Sequence, residues 1–282
     1  MPPGPARRRT RARPPAGARN PRANPAARRE VLEVVRGLAD RLDPQGRSAV
    51  VLAGSWARGD AHEGSDVDLW VIGSREGEVV LERGGRHVSL HYATVAGERR
   101  RMRAPAHIGG VVPGWRSAMI LRDPNGAAAT LRSEARDFRW SSVRRACSDY
   151  IARQLVGWSE EVMKLLRALE TGESETASVQ RNLLANRMAF LRSVELEYLW
   201  GTENGLWERV AARAGPAFRS AQRAALGTEG ESWRESCEAA LRLYSLTARA
   251  NLGVLRGERR RLVVEACRRA GYPIERVRVG RR

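Results

Sequence analysis

The chain has 282 residues, 42% of them apolar and 29% charged, with a formal net charge of +18. That length accommodates two domains of ordinary size and needs neither a disulfide nor a metal to complete a core. Three widely separated cysteines (Cys147, Cys237, Cys267) exclude a disulfide framework and a CxxC site, and four histidines without an HxxH or HExxH pair exclude the common zinc hydrolases.

Residues 1–24 are rich in Arg and Pro, hold no Val, Leu or Ile, and are expected to be disordered. Residues 1–29 carry nine arginines and no acid, and residues 256–282 carry ten arginines against three glutamates. The middle of the chain is therefore nearly balanced in charge. Such basic ends read as solvated tails, with nucleic acid as a partner through them alone. No apolar run approaches the roughly 18 residues of a membrane span, and none follows the first charges as in a signal peptide. A cytoplasmic protein with no membrane partner is expected.

Asn24-Pro25 predicts a helix start, and Val31, Leu32, Val34, Val35, Leu38 and Leu42 predict its apolar face, ending at Asp43-Pro44. Ser48–Leu52 reads as a buried strand, followed by a loop and a short helical turn, and Asp66–Ile72 as a second strand. Val79–Glu82 and His87–Tyr92, joined across Gly84-Gly85, predict a hairpin, and Ala118–Leu121 another strand before a helix near Gly126–Asp137. After Trp140 the strand signals stop. Ile151, Leu155, Trp158, Val162, Leu165 and Leu169 recur at helical spacing, as do Leu183, Leu184, Met188 and Leu191, with further helix over about 232–255 and 258–270. The expected organisation is a tail (1–24), an α/β (α+β) domain with a mixed sheet (25–139), an all-α helical bundle (140–270) and a basic tail (271–282).

The stretch that carries chemistry is Gly54-Ser55-Trp56-Ala57-Arg58-Gly59, followed six residues later by Asp66-Val67-Asp68-Leu69. Gly54 lets the backbone approach a ligand, the following helical turn aims N–H groups at it, and the Ser55 hydroxyl adds a donor, which suits a triphosphate. Arg58 supplies either a phosphate contact or a structural ion pair. Asp66 and Asp68, two apart on a strand, share a face and call for a cation between them; magnesium is the hard, phosphate-compatible choice. Such a site neutralises charge in phosphoryl transfer.

Residues Gly54–Leu69 resemble the signature of the DNA polymerase beta-like nucleotidyltransferases, G-S-x-A-R-G then S-D-x-D-L, matching at Gly54, Ser55, Ala57, Arg58, Gly59, Ser65, Asp66, Asp68 and Leu69. The layout is most similar to the kanamycin-type antibiotic nucleotidyltransferases. The resemblance implies a nucleotidyltransferase domain that moves a nucleoside monophosphate from a nucleoside triphosphate, ATP by default, to a hydroxyl of a small molecule such as an aminoglycoside-like antibiotic, releasing pyrophosphate. It implies that Gly54, Ser55, Arg58 and Ser65 hold the nucleotide and that Asp66 and Asp68 ligate Mg2+. It also implies a glutamate of the helical half as general base, for which Glu160 is the candidate; Glu160 also stands four before Lys164, the spacing of an ordinary surface pair.

One departure stands out. Family members place a third carboxylate on a following strand, where this chain has Ser89 in Arg86–Tyr92. His91 shares its face, and Glu82 on the partner strand is a possible substitute. The stretch Trp200-Gly201-Thr202-Glu203-Asn204-Gly205-Leu206-Trp207, a turn between two tryptophans, either walls an acceptor pocket or packs as core. Besides a small-molecule transferase, acting as monomer or homodimer, the sequence leaves open a protein- or RNA-modifying (AMPylating) transferase or antitoxin-type protein, and a nucleotide-binding protein with degenerate catalysis. A D-x-D glycosyltransferase leaves the Gly54-Ser55 loop unexplained.

Overall fold

The computed structural model describes residues 25–43 and 45–274. Asn24, the expected disorder of residues 1–24 and all but four residues of the expected basic tail lie outside the described residues. Helix α1 (Pro25–Leu42) begins on proline and buries Val31, Val35, Leu38 and Ala39 along one stripe. Strand β1 (Ala49–Leu52) is buried at all four positions because it is interior to the sheet. A short helix α2 (Gly54–Arg58) leads to β2 (Val67–Ile72), and β3 (Gly77–Arg83) and β4 (Arg86–Ala93) form the expected hairpin. Asp66 falls one residue ahead of β2, not within it.

The strands make one mixed sheet in the order β3-β4-β2-β1-β5, with β5 at Met119–Arg122. β2 and β4 are parallel, and the other neighbours are antiparallel. On one face α1 packs against Val50, Leu52, Leu69, Val88 and Leu90. The other face is covered by α3 (Val95–Arg103), α4 (Ile108–Ser117) and α5 (Ala127–Asp137). The spacing of apolar residues does not announce α3 or α4. α3 is dominated by arginine, and its start is marked only by Thr94, whose hydroxyl accepts from the Gly97 N–H (2.9 Å). α4 contains three glycines and Pro113, all poor helix formers.

Beyond a short 3-10 turn at Trp140–Ser142 the chain is helical: α6 (Arg144–Thr171), α7 (Ser174–Glu195), α8 (Leu206–Ala214), α9 (Pro216–Ala225), α10 (Trp233–Ala250) and α11 (Gly257–Arg269). α6 ends on Gly172 in the left-handed conformation, and α10 opens with a reciprocal Ser232/Glu235 capping box. α7 packs against both α6 and α10. One apolar core runs from Val51 and Ala93 of the sheet through Ile108 and Trp115 of α4 into Leu155, Leu165, Leu184 and Tyr244 of the helices. No helix among the described residues is long and apolar enough to cross a membrane.

Candidate functional site

The site is built where β1 hands over to α2 beside the start of β2. The Ala53 N–H donates to the Asp68 carbonyl (2.8 Å), which ties the end of β1 to β2. Gly54 follows with φ +63°, and a Cβ there would lie 1.8 Å from Asp68 Oδ2. Only glycine satisfies both the backbone and the carboxylate. The buried Trp56 anchors the turn, its indole N–H donating to the Ser65 carbonyl (3.4 Å) under the Arg86 guanidinium. The variable position of the motif is thus a packing residue. The Ser65 hydroxyl accepts from the His62 N–H (2.9 Å) and fixes the loop entering β2. Arg58 pairs with Asp60 at 3.3 Å.

Gly54, Ser55, Arg58, Ser65, Asp66 and Asp68 line one cavity of about 360 Å³. Burial pushes the Asp68 carboxyl above its ordinary value, the Asp66 charge pushes it further, and Arg58 partly offsets them. Neither aspartate forms an ion pair among the described residues. No group of three or more His, Cys, Asp or Glu side chains among those residues is arranged to hold a metal ion. Two carboxylates do fit Mg2+, which is commonly held by one or two of them while phosphate oxygens and water complete its shell.

The position of the missing third carboxylate is fixed by the sheet. In the parallel β2–β4 register, Ser89 stands opposite Asp68 and His91 opposite Trp70. His91 does not line the aspartate cavity. Its Nε2 lies 3.1 Å from Glu98 Oε1 and 2.5 Å from Arg101 Nη1. Glu98, on α3, is fully buried and accepts from the Trp115 indole (2.7 Å) and from Arg101 Nη1 (2.7 Å). Burial alone pushes the Glu98 carboxyl up. The contact with His91, the Arg101 charge and the bonds from Trp115 and Arg101 outweigh it and hold the carboxyl at about 2. Glu82 accepts from the Gly85 N–H (2.6 Å) in the hairpin turn and faces His87, while Val80 faces Ser89.

Glu160 lies outside the cavity. It is exposed on α6 and paired with Lys164 at 3.0 Å. The helical half instead contributes Gly201, Thr202, Asn204 and Arg209. Gly201, Thr202 and Asn204 belong to the turn between Trp200 and Trp207 that the sequence offered as an acceptor wall; Arg209 was not singled out, and only tertiary docking brings all four to the aspartates. The docking is specific: the N–H groups of Trp200 and Gly201 both donate to the Gly109 carbonyl, at 2.9 and 3.0 Å. A Cβ on Gly109 would lie 2.1 Å from Trp200 Nε1, and one on Gly110 would lie 2.7 Å from the same ring. The glycines of α4 therefore exist to seat an indole. A second cavity of about 480 Å³ adjoins the first, with Gly201 on both walls and Trp200 on the second.

The family model of the nucleotidyltransferase domain matches residues 32–102, which include the Gly54–Asp68 loop. No curated protein matches the chain. Among solved structures, a nucleotidyltransferase-like protein from Exiguobacterium sibiricum superposes with a TM-score of 0.52 at 16% identity, over 84% of this chain and 80% of that one. At that identity the likeness is one of fold, and it extends through the helical half.

Proposed function

From a nucleotidyltransferase domain over residues 32–102, we propose that the chain transfers a nucleoside monophosphate from a nucleoside triphosphate, ATP by default, to a hydroxyl of a small acceptor. The observation that carries this reading is the single cavity holding Gly54, Ser55, Arg58, Asp66 and Asp68 together with Thr202, Asn204 and Arg209 of the helical half. The unhindered backbone at Gly54, the Ser55 hydroxyl and the Arg58 guanidinium are placed to take the triphosphate. Asp66 and Asp68 are the residues that would hold Mg2+, which when bound neutralises charge on the reacting phosphate. Burial and the neighbouring Asp66 charge raise the Asp68 carboxyl, and a cation between the two would relieve that repulsion.

In the transfer, the acceptor oxygen forms a bond to the α-phosphorus, the α–β phosphoanhydride bond breaks, and pyrophosphate leaves with the bond electrons. The hydroxyl proton needs an acceptor. Glu203 is the carboxylate on the wall of the adjoining cavity and takes this role in place of the distant Glu160. Arg209, which has no ion-pair partner among the described residues, lines the same cavity as the aspartates and binds departing or incoming phosphate oxygens.

Pyrophosphate release with Mg2+, each nucleoside triphosphate and a panel of hydroxylated acceptors tests the reading. The expected result is release that depends on one acceptor and disappears in the double variant Asp66→Ala, Asp68→Ala. Ser89 opposite Asp68 favours a second reading, a nucleotide-binding protein without turnover. Nucleotide binding that the double variant loses, with no release from any acceptor, establishes that one.

A further inference from the structure

The second cavity differs in chemistry from the first. Its walls include Trp70, Trp140, Tyr150, Phe190, Tyr198 and Trp200, drawn from β2, the Trp140 turn, α6, α7 and the loop that follows. Trp70 stands two residues after Asp68 on the same face of β2, so the aromatic cavity begins where the carboxylate cavity ends. Its volume of about 480 Å³ falls within the range of small-molecule sites.

The charged groups on its walls are unequal. Its walls carry Arg101, Arg187 and His107 against Glu203, which is its only acidic wall residue among the described residues. Arg101 is held by the buried Glu98, which fixes one of its nitrogens and leaves the rest of the guanidinium to the cavity. Arg187 sits 5.9 Å from the Trp158 ring and has no carboxylate partner among the described residues. A polycationic sugar needs several carboxylates, and this cavity offers one. A flat ring stacks on the aromatic walls, and an anionic substituent meets Arg187.

We infer that this cavity is the acceptor site and that it takes a planar aromatic molecule carrying an anionic group, not an aminoglycoside-like polycation. The inference rests on the transferase reading for the word acceptor; the ring and charge preference rests on the cavity alone.

Isothermal titration calorimetry tests it with three probes: indole-3-acetate, its neutral isostere indole-3-acetamide, and kanamycin. None of the readouts requires turnover. The carboxylate is expected to bind about tenfold more tightly than the amide, in line with one charge-assisted bond, and kanamycin is expected not to bind. Arg187→Ala is expected to erase the preference and Arg187→Lys to restore part of it. Saturating Mg-ATP is expected to leave indole-3-acetate binding intact. Equal binding of acid and amide, tighter binding of kanamycin, no binding of the acid, or an unchanged preference in Arg187→Ala would each overturn the inference. Displacement by Mg-ATP would overturn it too, since the cavity would then belong to the nucleotide base. If no acceptor supports pyrophosphate release that the Asp66→Ala, Asp68→Ala variant loses, the transferase reading fails on its own while the ring and charge preference stands.

Discussion

Gly54 and Asp68 are locked to each other at atomic range. Replacing Gly54 with alanine drives a Cβ into the Asp68 carboxylate and forces an unfavourable φ, with an expected cost of about 1–3 kcal/mol in a denaturant titration and loss of nucleotide binding. Asp68 itself is destabilising in its charged form. Its carboxyl is raised in the fold, so the metal-free protein is more stable below that raised value and loses the gain as pH rises through it. Asp68→Asn is therefore expected to melt at a higher temperature than the wild type at neutral pH without divalent cations. It is also expected to lose any stabilisation by Mg-ATP, and paired thermal melts with and without Mg-ATP check both effects. Ser89→Asp places a third carboxylate opposite Asp68; tighter Mg2+ binding by calorimetry and higher turnover are expected. These residues were legible in the sequence because their chemistry is local: a glycine, a hydroxyl and two alternating aspartates within fifteen positions. The hydrogen bond from Trp56 to the Ser65 carbonyl was not, since the path of the loop sets it.

At the scale of elements, α3 carries the buried carboxylate that joins β4 to α4. Glu98→Gln leaves Arg101 without its counter-charge, and a loss of about 3 kcal/mol is expected by denaturant unfolding. The pH profile has a defined sign. With the folded carboxyl at about 2 and its ordinary value at 4.5, the contribution is complete above the ordinary value and fades as pH falls towards about 2. The wild type should therefore lose stability in that acid window more steeply than Glu98→Gln. α4 escaped sequence reading because three glycines and a proline contradict helix propensity. Tertiary contact overrides that preference, since Gly109 and Gly110 leave room for Trp200 and Gly114 leaves room for Trp70. Gly109→Ala is expected to unseat the Trp200 loop, raising KM for the acceptor about tenfold or more while leaving nucleotide binding nearly unchanged. α8 and α9 went unassigned in the sequence for a related reason, as Gly215-Pro216 interrupts the periodicity and restarts it as a helix.

The whole molecule is held by a core that ignores the change in character near residue 140. Val51 and Trp115 belong to the same apolar cluster as Leu184 and Tyr244. Thermal unfolding followed by calorimetry is therefore expected to show one transition, not two separate ones. The mixed sheet followed by helices was legible because period-two and helical patterns occupy different parts of the chain. The meeting of Thr202, Asn204 and Arg209 with Asp66 and Asp68 was not. More than 130 residues separate them in the sequence, and no local pattern encodes a contact at that distance.

The two hydrogen bonds that dock Trp200 and Gly201 converge on one carbonyl, that of Gly109. The aspartates and Gly54 stand at β2 and α2, in segments the sheet holds in place, whereas Thr202 and Asn204 ride on a short connection whose backbone hydrogen bonds to α4 meet at that one carbonyl. On the transferase reading, mutation there can therefore revise the acceptor while the aspartates stay in place, provided Glu203 is kept. On that reading, a lineage carrying this fold can change acceptors by exchanging residues around Glu203 between α7 and α8, keeping Glu203, the aspartates and the glycine that cradles them.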